Sequence, residues 1–600
     1  MRLRGIMILA ILLCSACTPM VAQLATPEGA GQLTGGRAAS SGQPATRTPF
    51  QPLAAEPTTP TTAPVALPEA TGMPALGLPT STTEAAALSP ASSGQASLLP
   101  VWVDPLLPAG FRAGLSLPAE LAALPAESPA EAGILRLEAG GGRPISQWVY
   151  ALVAPFPTQV EGVAVETLRN AWSGNGQSPW GSLPLMLDPS TQRMLTAAWG
   201  APTEGAVQVL GSEEILGEAW KKQPAWAIIP FEALEPRWKV LKVAGQSPLQ
   251  PGFDPGAYPL TLPISLTGDA QVAEAIVALY GSQSGAPLAK TANWRADRLT
   301  TVAMTGVTAL VRATAYTMER QGVLYPGRDI AGLLSSAGLT HISNEIPFAR
   351  NCPFPNPVQA GLRFCSDPSY IALLEAVGTD IVELTGDHFQ DWGEEAMLLT
   401  LDLYRERSWG YYGGGENLDD GRKAYLVEHN GNRLAFIGCN AKGGGYAQAG
   451  PKHPGAVKCD FDYMTKEIAR LRSEGYLPIA TFQHFEYYTY KAQPDQVKDF
   501  RSLAEAGAVI VSGSQAHQPQ AMAFEGGAFI HYGLGNLFFD QYDISLATRQ
   551  GFIDWHVFYD GRYISTELAP ILFVDYARAR FMNADEKQQL FEAVFSASGW

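Results

Sequence analysis

Apolar residues along this chain fall into short runs separated by stretches of helical period, and the alternation continues from about residue 134 to the carboxyl end. In the first part, WVYALVAPFP (Trp148–Pro157) and PAWAIIPFEAL (Pro224–Leu234) read as apolar strands. VETLRNAWSG (Val165–Gly174) and EEILGEAW (Glu213–Trp220) read as helices, and Asp188-Pro189-Ser190 opens another. Further on, LTTVAMTGV (Leu299–Val307), LTHISNE (Leu339–Glu345), TDIVELTGDH (Thr379–His388), LPIATFQHFE (Leu477–Glu486) and VIVSGSQAH (Val509–His517) predict strands. Each is preceded or followed by a helical pattern: LVRATAYTMER, RDIAGLLSSAG (Arg328–Gly338), DPSYIALLEAVG (Asp367–Gly378), MTKEIARLRSEG and VKDFRSLAEAGA. AYLVEHNGNRLAFIGC predicts a hairpin turning at Asn430-Gly431. The fold class is α/β throughout.

Six hundred residues exceed what one core usually serves, so two domains are expected, over residues 101–290 and 293–600. Charged residues make up only 16% of the chain against about 25% in an average soluble protein. The shortfall lies in residues 18–100, an Ala/Pro/Thr/Ser/Gly-rich stretch without lysine or any structural period, which predicts a disordered linker. The net charge of −16 argues against a nucleic-acid partner.

Residues 1–17, MRLRGIMILAILLCSAC, have the short basic and apolar regions of an export signal, too short to span a bilayer. The end of this segment resembles a bacterial lipobox, which implies lipidation at Cys17, although Cys14 stands where that pattern prefers leucine. The alternative is an ordinary cleaved signal. The expected location is extracytoplasmic, as a lipoprotein anchored to the membrane at the cell surface. In that oxidising space the two local cysteine pairs, Cys352 with Cys365 and Cys439 with Cys459, predict disulfides, and neither has the spacing of a zinc site.

All eight histidines lie in the second domain. Asn344 and Glu345, Asp387 and His388, His484 and Glu486, and Gln515 and His517 each sit just past a predicted strand. In α/β sheets such strand ends converge on one crevice, and oxygen and nitrogen donors of this kind suit Zn, Mn or Fe.

SNEIP (Ser343–Pro347), ELTGDHFQDWG (Glu383–Gly393), FQHFEYY, GSQAHQPQ (Gly513–Gln520) and HYGLGNLFFDQ (His531–Gln541) resemble the capsule synthesis protein CapA family. The resemblance runs from about Arg298 to Trp600. It implies a role in making poly-γ-glutamate capsule and a metallophosphoesterase-like fold, a four-layer αββα sandwich with the site on strand-end loops. Residues 101–290 more distantly resemble type 2 periplasmic solute-binding proteins, phosphate binders in particular.

Three departures from the family pattern bear on the chemistry. Val307 stands where the family places an aspartate, Asp387 replaces the amide of its Asn-Asn-His motif, and Gln515 replaces one histidine of its Gly-x-His-Pro-His motif. Two metals would then lack ligands, so the expectation is one divalent cation held by Glu345, Asp387, His484 and His517. His388 would donate a proton, oriented by Asp391, which could equally cap the following helix. Asn344, Glu486, Gln515 and Asn536 would support these groups, with Glu486 on His484, and Tyr487, Tyr488 and Tyr490 could form a rim. The expected partners are the membrane, through the lipid, and a capsule polymer or small anion. The expected function is capsule or envelope polymer biosynthesis with single-metal hydrolase chemistry; the alternative is a non-catalytic polymer- or anion-binding lipoprotein with a degenerate site. A single-metal phosphoesterase without a capsule role is a third reading.

Overall fold

Leu299–Thr308 is a strand buried at every position, and its alternating side chains feed two different cores. Val302 and Met304 face one layer and Ala303 the other, as the two-residue period of a strand with both faces covered requires. The chain was analysed as a computed structural model that describes residues 99–125, 135–175, 179–281, 288 and 292–600. Residues 1–98, with the leader, Cys17 and nearly all of the predicted linker, lie outside the described residues. Leu99 and Pro100, assigned to that linker by composition, already belong to the strand Leu99–Val103.

Around Leu299–Thr308 runs an eight-stranded sheet. Gly410–Tyr412, Ile381–Glu383 and Leu339–Asn344 lie parallel on one side, and the antiparallel strands Gln550–Tyr559, Arg562–Val574 and Arg578–Phe581 on the other. A six-stranded sheet is built on the parallel strands Asn432–Asn440, Leu477–Gln483, Ile510–Ser512 and Ala528–His531. The two sheets share an apolar layer that includes Val302, Met304, Phe436, Ile479, Phe529 and Phe552. Helices Arg312–Gln321, Ile371–Ala376 and Glu394–Glu406 contribute Met318, Leu374 and Leu401 to the core on the outer face of the first sheet. Helices Phe461–Ser473 and Pro494–Glu505 cover the second. This is the expected four-layer αββα sandwich.

Residues 99–267 form a ten-stranded mixed sheet around the long strand Arg143–Pro155. It joins the sandwich in one compact unit. Phe156 stacks edge-on against Phe524 at 5.3 Å, Phe231 against Tyr559 at 4.9 Å, and Arg562 donates to the carbonyls of Glu232 and Leu234.

Local expectations held where capping and period agreed. Asp188 accepts from the Thr191 N–H at the start of Pro189–Trp199, and Asn430 and Gly431, both with positive φ, turn the hairpin between Tyr425–His429 and Asn432–Asn440. Arg328–Gly338 did not form the expected helix: only Ala331–Leu334 is helical. Gly332, Ser335 and Ser336 are poor helix formers, and Gly338 instead donates its N–H to Thr301 Oγ1. Both cysteine pairs form disulfides, Cys352–Cys365 and Cys439–Cys459.

The interior also holds titratable groups. Burial pushes His341 down to about 3 and His556 down to about 4. The folded chain therefore keeps both neutral, while the unfolded chain protonates them below about 6.5. Stability is full above about pH 6.5 and falls as the pH drops toward 4, by up to about 2.7 kcal/mol per pH unit for two protons. Urea midpoints at about pH 7 and pH 5 measure this; equal midpoints would show that neither histidine resists protonation.

Candidate metal centre

Strand ends from both sheets meet in one crevice. Glu345 follows Leu339–Asn344, and Asp387 and His388 follow Ile381–Glu383, all from the first sheet. From the second sheet come Lys442 after Asn432–Asn440, Glu486 after Leu477–Gln483, and His517 after Ile510–Ser512. Glycine at 386 permits the closest of these approaches. A Cβ there would lie 2.8 Å from Glu345 Cα and 2.7 Å from its Cγ, so any larger residue would push the two loops apart.

One ligand atom from each of Glu345, Asp387 and His388 lies within 4.8 Å of the others. Glu345 is 1% exposed, and neither of its carboxyl oxygens receives a hydrogen bond. Burial, then the charge of Asp387, a hydrogen bond to Asp387 that the protonated carboxyl can make, and the charge of Glu486 push Glu345 well above the usual range. Two carboxyl groups facing each other in a buried site require either a shared proton or a cation between them. His388 donates Nδ1–H to Asp391 Oδ2 at 2.7 Å, which leaves Nε2 as its free donor atom. Burial would lower His388, but the Asp391 hydrogen bond and the Asp387 charge raise it. An orphaned carboxylate, a second carboxylate and an oriented imidazole fit one divalent cation.

Lys442 was not anticipated. Its Nζ lies 2.5 Å from Asp387 Oδ2 and 2.7 Å from Glu486 Oε1. Burial opposes all three charges, yet His388 and then Lys442 lower Asp387, His517 and then Lys442 lower Glu486, and the two acids raise the lysine. Gln483 completes the arrangement, donating Nε2–H to Asp387 Oδ1 at 2.9 Å. The signal was available, because Lys442 follows its strand as the other polar residues follow theirs. In the sequence, the glycine-rich stretch GCNAKGGG between Cys439 and Cys459 masks it as a disulfide-closed loop.

The remaining expected residues divide. His517 donates Nδ1–H to Asn536 Oδ1 at 2.9 Å and sets Nε2 3.8 Å from Glu486 Oε1, so Asn536 supports it directly. His484, expected as a ligand, is instead drawn to Asp499 on the helix Pro494–Glu505, with Nε2 at 3.1 Å from Oδ2. Glu486 accordingly pairs with Lys442, not with His484. His388, expected as a proton donor, stands among the candidate ligands. Gln515 donates to Ser343 Oγ, and Asn344 donates to the Ile346 carbonyl and Tyr404 hydroxyl, so both hold loops. Asp391 is no helix cap, since that place belongs to Gly393. Val307 is fully buried in an apolar cluster with Ile346, Phe364 and Phe539. Of the expected aromatic rim, Tyr488 is half exposed and donates to Glu486, whereas Tyr487 and Tyr490 donate to Asp495 and Gln550.

Residues 301–541 match the family described as bacterial capsule synthesis protein PGA_cap, and the CapA resemblance holds over that segment. Among characterised proteins, the chain is 23% identical over 246 residues to a capsule biosynthesis protein CapA of Bacillus anthracis, 38% of this chain and 60% of that one. It is 24% identical over 173 residues to a PGA biosynthesis protein CapA of Bacillus subtilis, 28% of this chain and 45% of that one. The chain thus spans roughly half the length of these relatives. Solved structures that align with it include a Vibrio cholerae phosphate transport receptor (TM-score 0.20, 13% identity, 24% of this chain and 72% of that one). Another is the Haemophilus influenzae NAD nucleotidase (TM-score 0.29, 8% identity, 50% of this chain and 56% of that one).

Proposed function

We propose that this protein acts outside the cytoplasm, anchored by lipid at Cys17, in the assembly of an anionic capsule or envelope polymer of the poly-γ-glutamate type. Its working site is the crevice at Glu345, Asp387 and His388. The observation that carries the reading is the buried Glu345 carboxyl, which accepts no hydrogen bond among the described residues and faces Asp387 and His388, within a segment that matches the PGA_cap family. Glu345, Asp387 and His388 would hold one divalent cation. When bound, that cation supplies Lewis-acid polarisation of an acyl or phosphoryl oxygen and offsets the charge that would otherwise repel an anionic polymer.

The chain's own groups do the rest. Asp391 fixes the tautomer of His388, keeping its proton at Nδ1 and Nε2 free. Asn536 does the same for His517, whose Nε2 is the basic nitrogen available to take a proton beside Glu486. Lys442 keeps Asp387 and Glu486 ionised. Half-exposed Phe485 and Tyr488 give the polymer an aromatic rim to lie against.

Deleting the gene in its own host should abolish surface polymer, measured as glutamate released by acid hydrolysis of washed cells. A Glu345→Gln protein present at normal level should fail to restore it. Unchanged surface glutamate in the deletion strain would overturn the reading. The mutual satisfaction of Lys442, Asp387 and Glu486 favours a second reading, a non-catalytic domain that binds polymer without turning it over. Under that reading His388→Ala leaves the surface polymer at the wild-type level.

A further inference from the structure

We propose that Lys442 is a built-in cation, its ammonium filling a second divalent-metal position between Asp387, Glu486 and His517, so that the chain takes one metal ion where it would otherwise take two. The inference rests on the single-cation reading of Glu345, Asp387 and His388.

The argument starts from His517 and Glu486. With Nδ1–H given to Asn536, His517 presents a bare Nε2 lone pair 3.8 Å from the carboxylate oxygen Glu486 Oε1. His517 is 5% exposed, so water is largely excluded from this contact. A carboxylate and an imidazole nitrogen at that distance are held together by positive charge, either a proton on Nε2 or a cation beside them. The positive group is Lys442 Nζ, which bonds that same Glu486 oxygen and also Asp387 Oδ2. Two carboxylates and one imidazole nitrogen are a common donor set for Zn or Mn.

Asp387 is shared. It belongs to the group formed with Glu345 and His388, and through Oδ2 it also belongs to the group around Lys442. Two cation positions bridged by one carboxylate would bring two dications close together, at high electrostatic cost unless further ligands are supplied. Val307, fully buried and apolar, supplies none, and Gln515, whose amide N–H goes to Ser343, offers only a neutral oxygen. A monovalent ammonium on a flexible tether neutralises the second position at half the charge. It also needs no free ion, because the cation is part of the chain.

The test is metal stoichiometry on the full-length protein with Mn2+ as the only added ion. Wild type should bind about one Mn2+ per chain, with the six-line paramagnetic resonance spectrum of an isolated ion. Lys442→Ala should bind about two, with the broadened spectrum of a coupled pair, and Lys442→Arg should remain at one. Adding Glu486→Gln to Lys442→Ala should return the count to one.

Lys442→Ala staying at one Mn2+ while wild type also binds one would overturn the inference and leave the single-cation reading standing. If wild type binds none, that reading fails. In that case an ion gained by Lys442→Ala and lost again with Glu486→Gln still supports the lysine as a resident cation, and no gain refutes it. Should Lys442→Ala prove too unstable to purify without metal, Mn2+ in the growth medium should rescue its folding. Failure of rescue, with Lys442→Arg folding normally, counts against the proposal.

Discussion

Glu345→Gln will leave the protein folded, raise its metal-free stability by about 1–2 kcal/mol, and weaken divalent-metal binding by roughly 100-fold or more. The stability gain follows from the wild-type site. Glu345 is buried, its carboxyl oxygens receive no hydrogen bond, and burial together with Asp387 and Glu486 disfavours its charged form. Glutamine has nearly the same shape, and its amide N–H can donate to Asp387 without the proton uptake that the wild-type carboxyl needs for that bond. The metal loss follows from chemistry. Partners that only orient a ligand are worth 10–100-fold in affinity, so deleting a charged ligand costs at least the upper end of that range. Urea denaturation in the presence of a chelator and calorimetric Mn2+ titration measure the two effects separately. A variant that is less stable without metal would show that Glu345 has a stabilising partner, and unchanged affinity would place the cation elsewhere. Stability that rises as function is lost is the expected signature of a residue kept for its chemistry.

The second large effect lies in the layer between the sheets. Asp554→Ala will destabilise the fold by about 3–5 kcal/mol. His531, on the strand Ala528–His531 of the six-stranded sheet, donates Nδ1–H to Asp554 Oδ2 at 2.6 Å. Asp554 belongs to the strand Gln550–Tyr559 of the eight-stranded sheet, so this polar contact crosses from one sheet to the other. Both side chains are fully buried. Alanine would leave the imidazole N–H without an acceptor and open a cavity beside Phe552, whose ring lies 5.3 Å from that of His531. Asp554→Asn keeps an acceptor oxygen at the same place and should cost only about 1–2 kcal/mol. A loss below about 1 kcal/mol in Asp554→Ala would mean that this contact adds little to the joining of the sheets.

Much of the sandwich was legible along the chain because its strands are covered on both faces. Uncharged runs rich in apolar and β-branched residues, such as Leu477–Gln483 and Leu299–Thr308, favour a strand buried on both faces. Segments with weaker local preference were misjudged: Arg328–Gly338 has an apolar stripe, but its glycine and serines gave way to a backbone contact with Thr301. At the site, the rule that functional groups follow strands pointed to Glu345, Asp387, His388 and His517, which the structure brings to one crevice. Applied to the strand Asn432–Asn440, it would also have identified Lys442. Nothing in the local sequence could have shown that His484 would turn to Asp499, because that aspartate arrives from the next helix.

The two-sheet core was implied by the family resemblance, whereas the order of most strands and helices and the loops that carry polar side chains were determined by the sequence alone. They depend on periodicity and capping, which act between residues close in the chain. Which of those side chains meet was decided only by the tertiary structure. Asp387 must choose among Glu345, His388, Lys442 and Gln483, and Glu486 between His484 and Lys442. These partners are brought together by two different sheets, and the balance of burial against attraction among them exists only once both sheets have closed over the crevice.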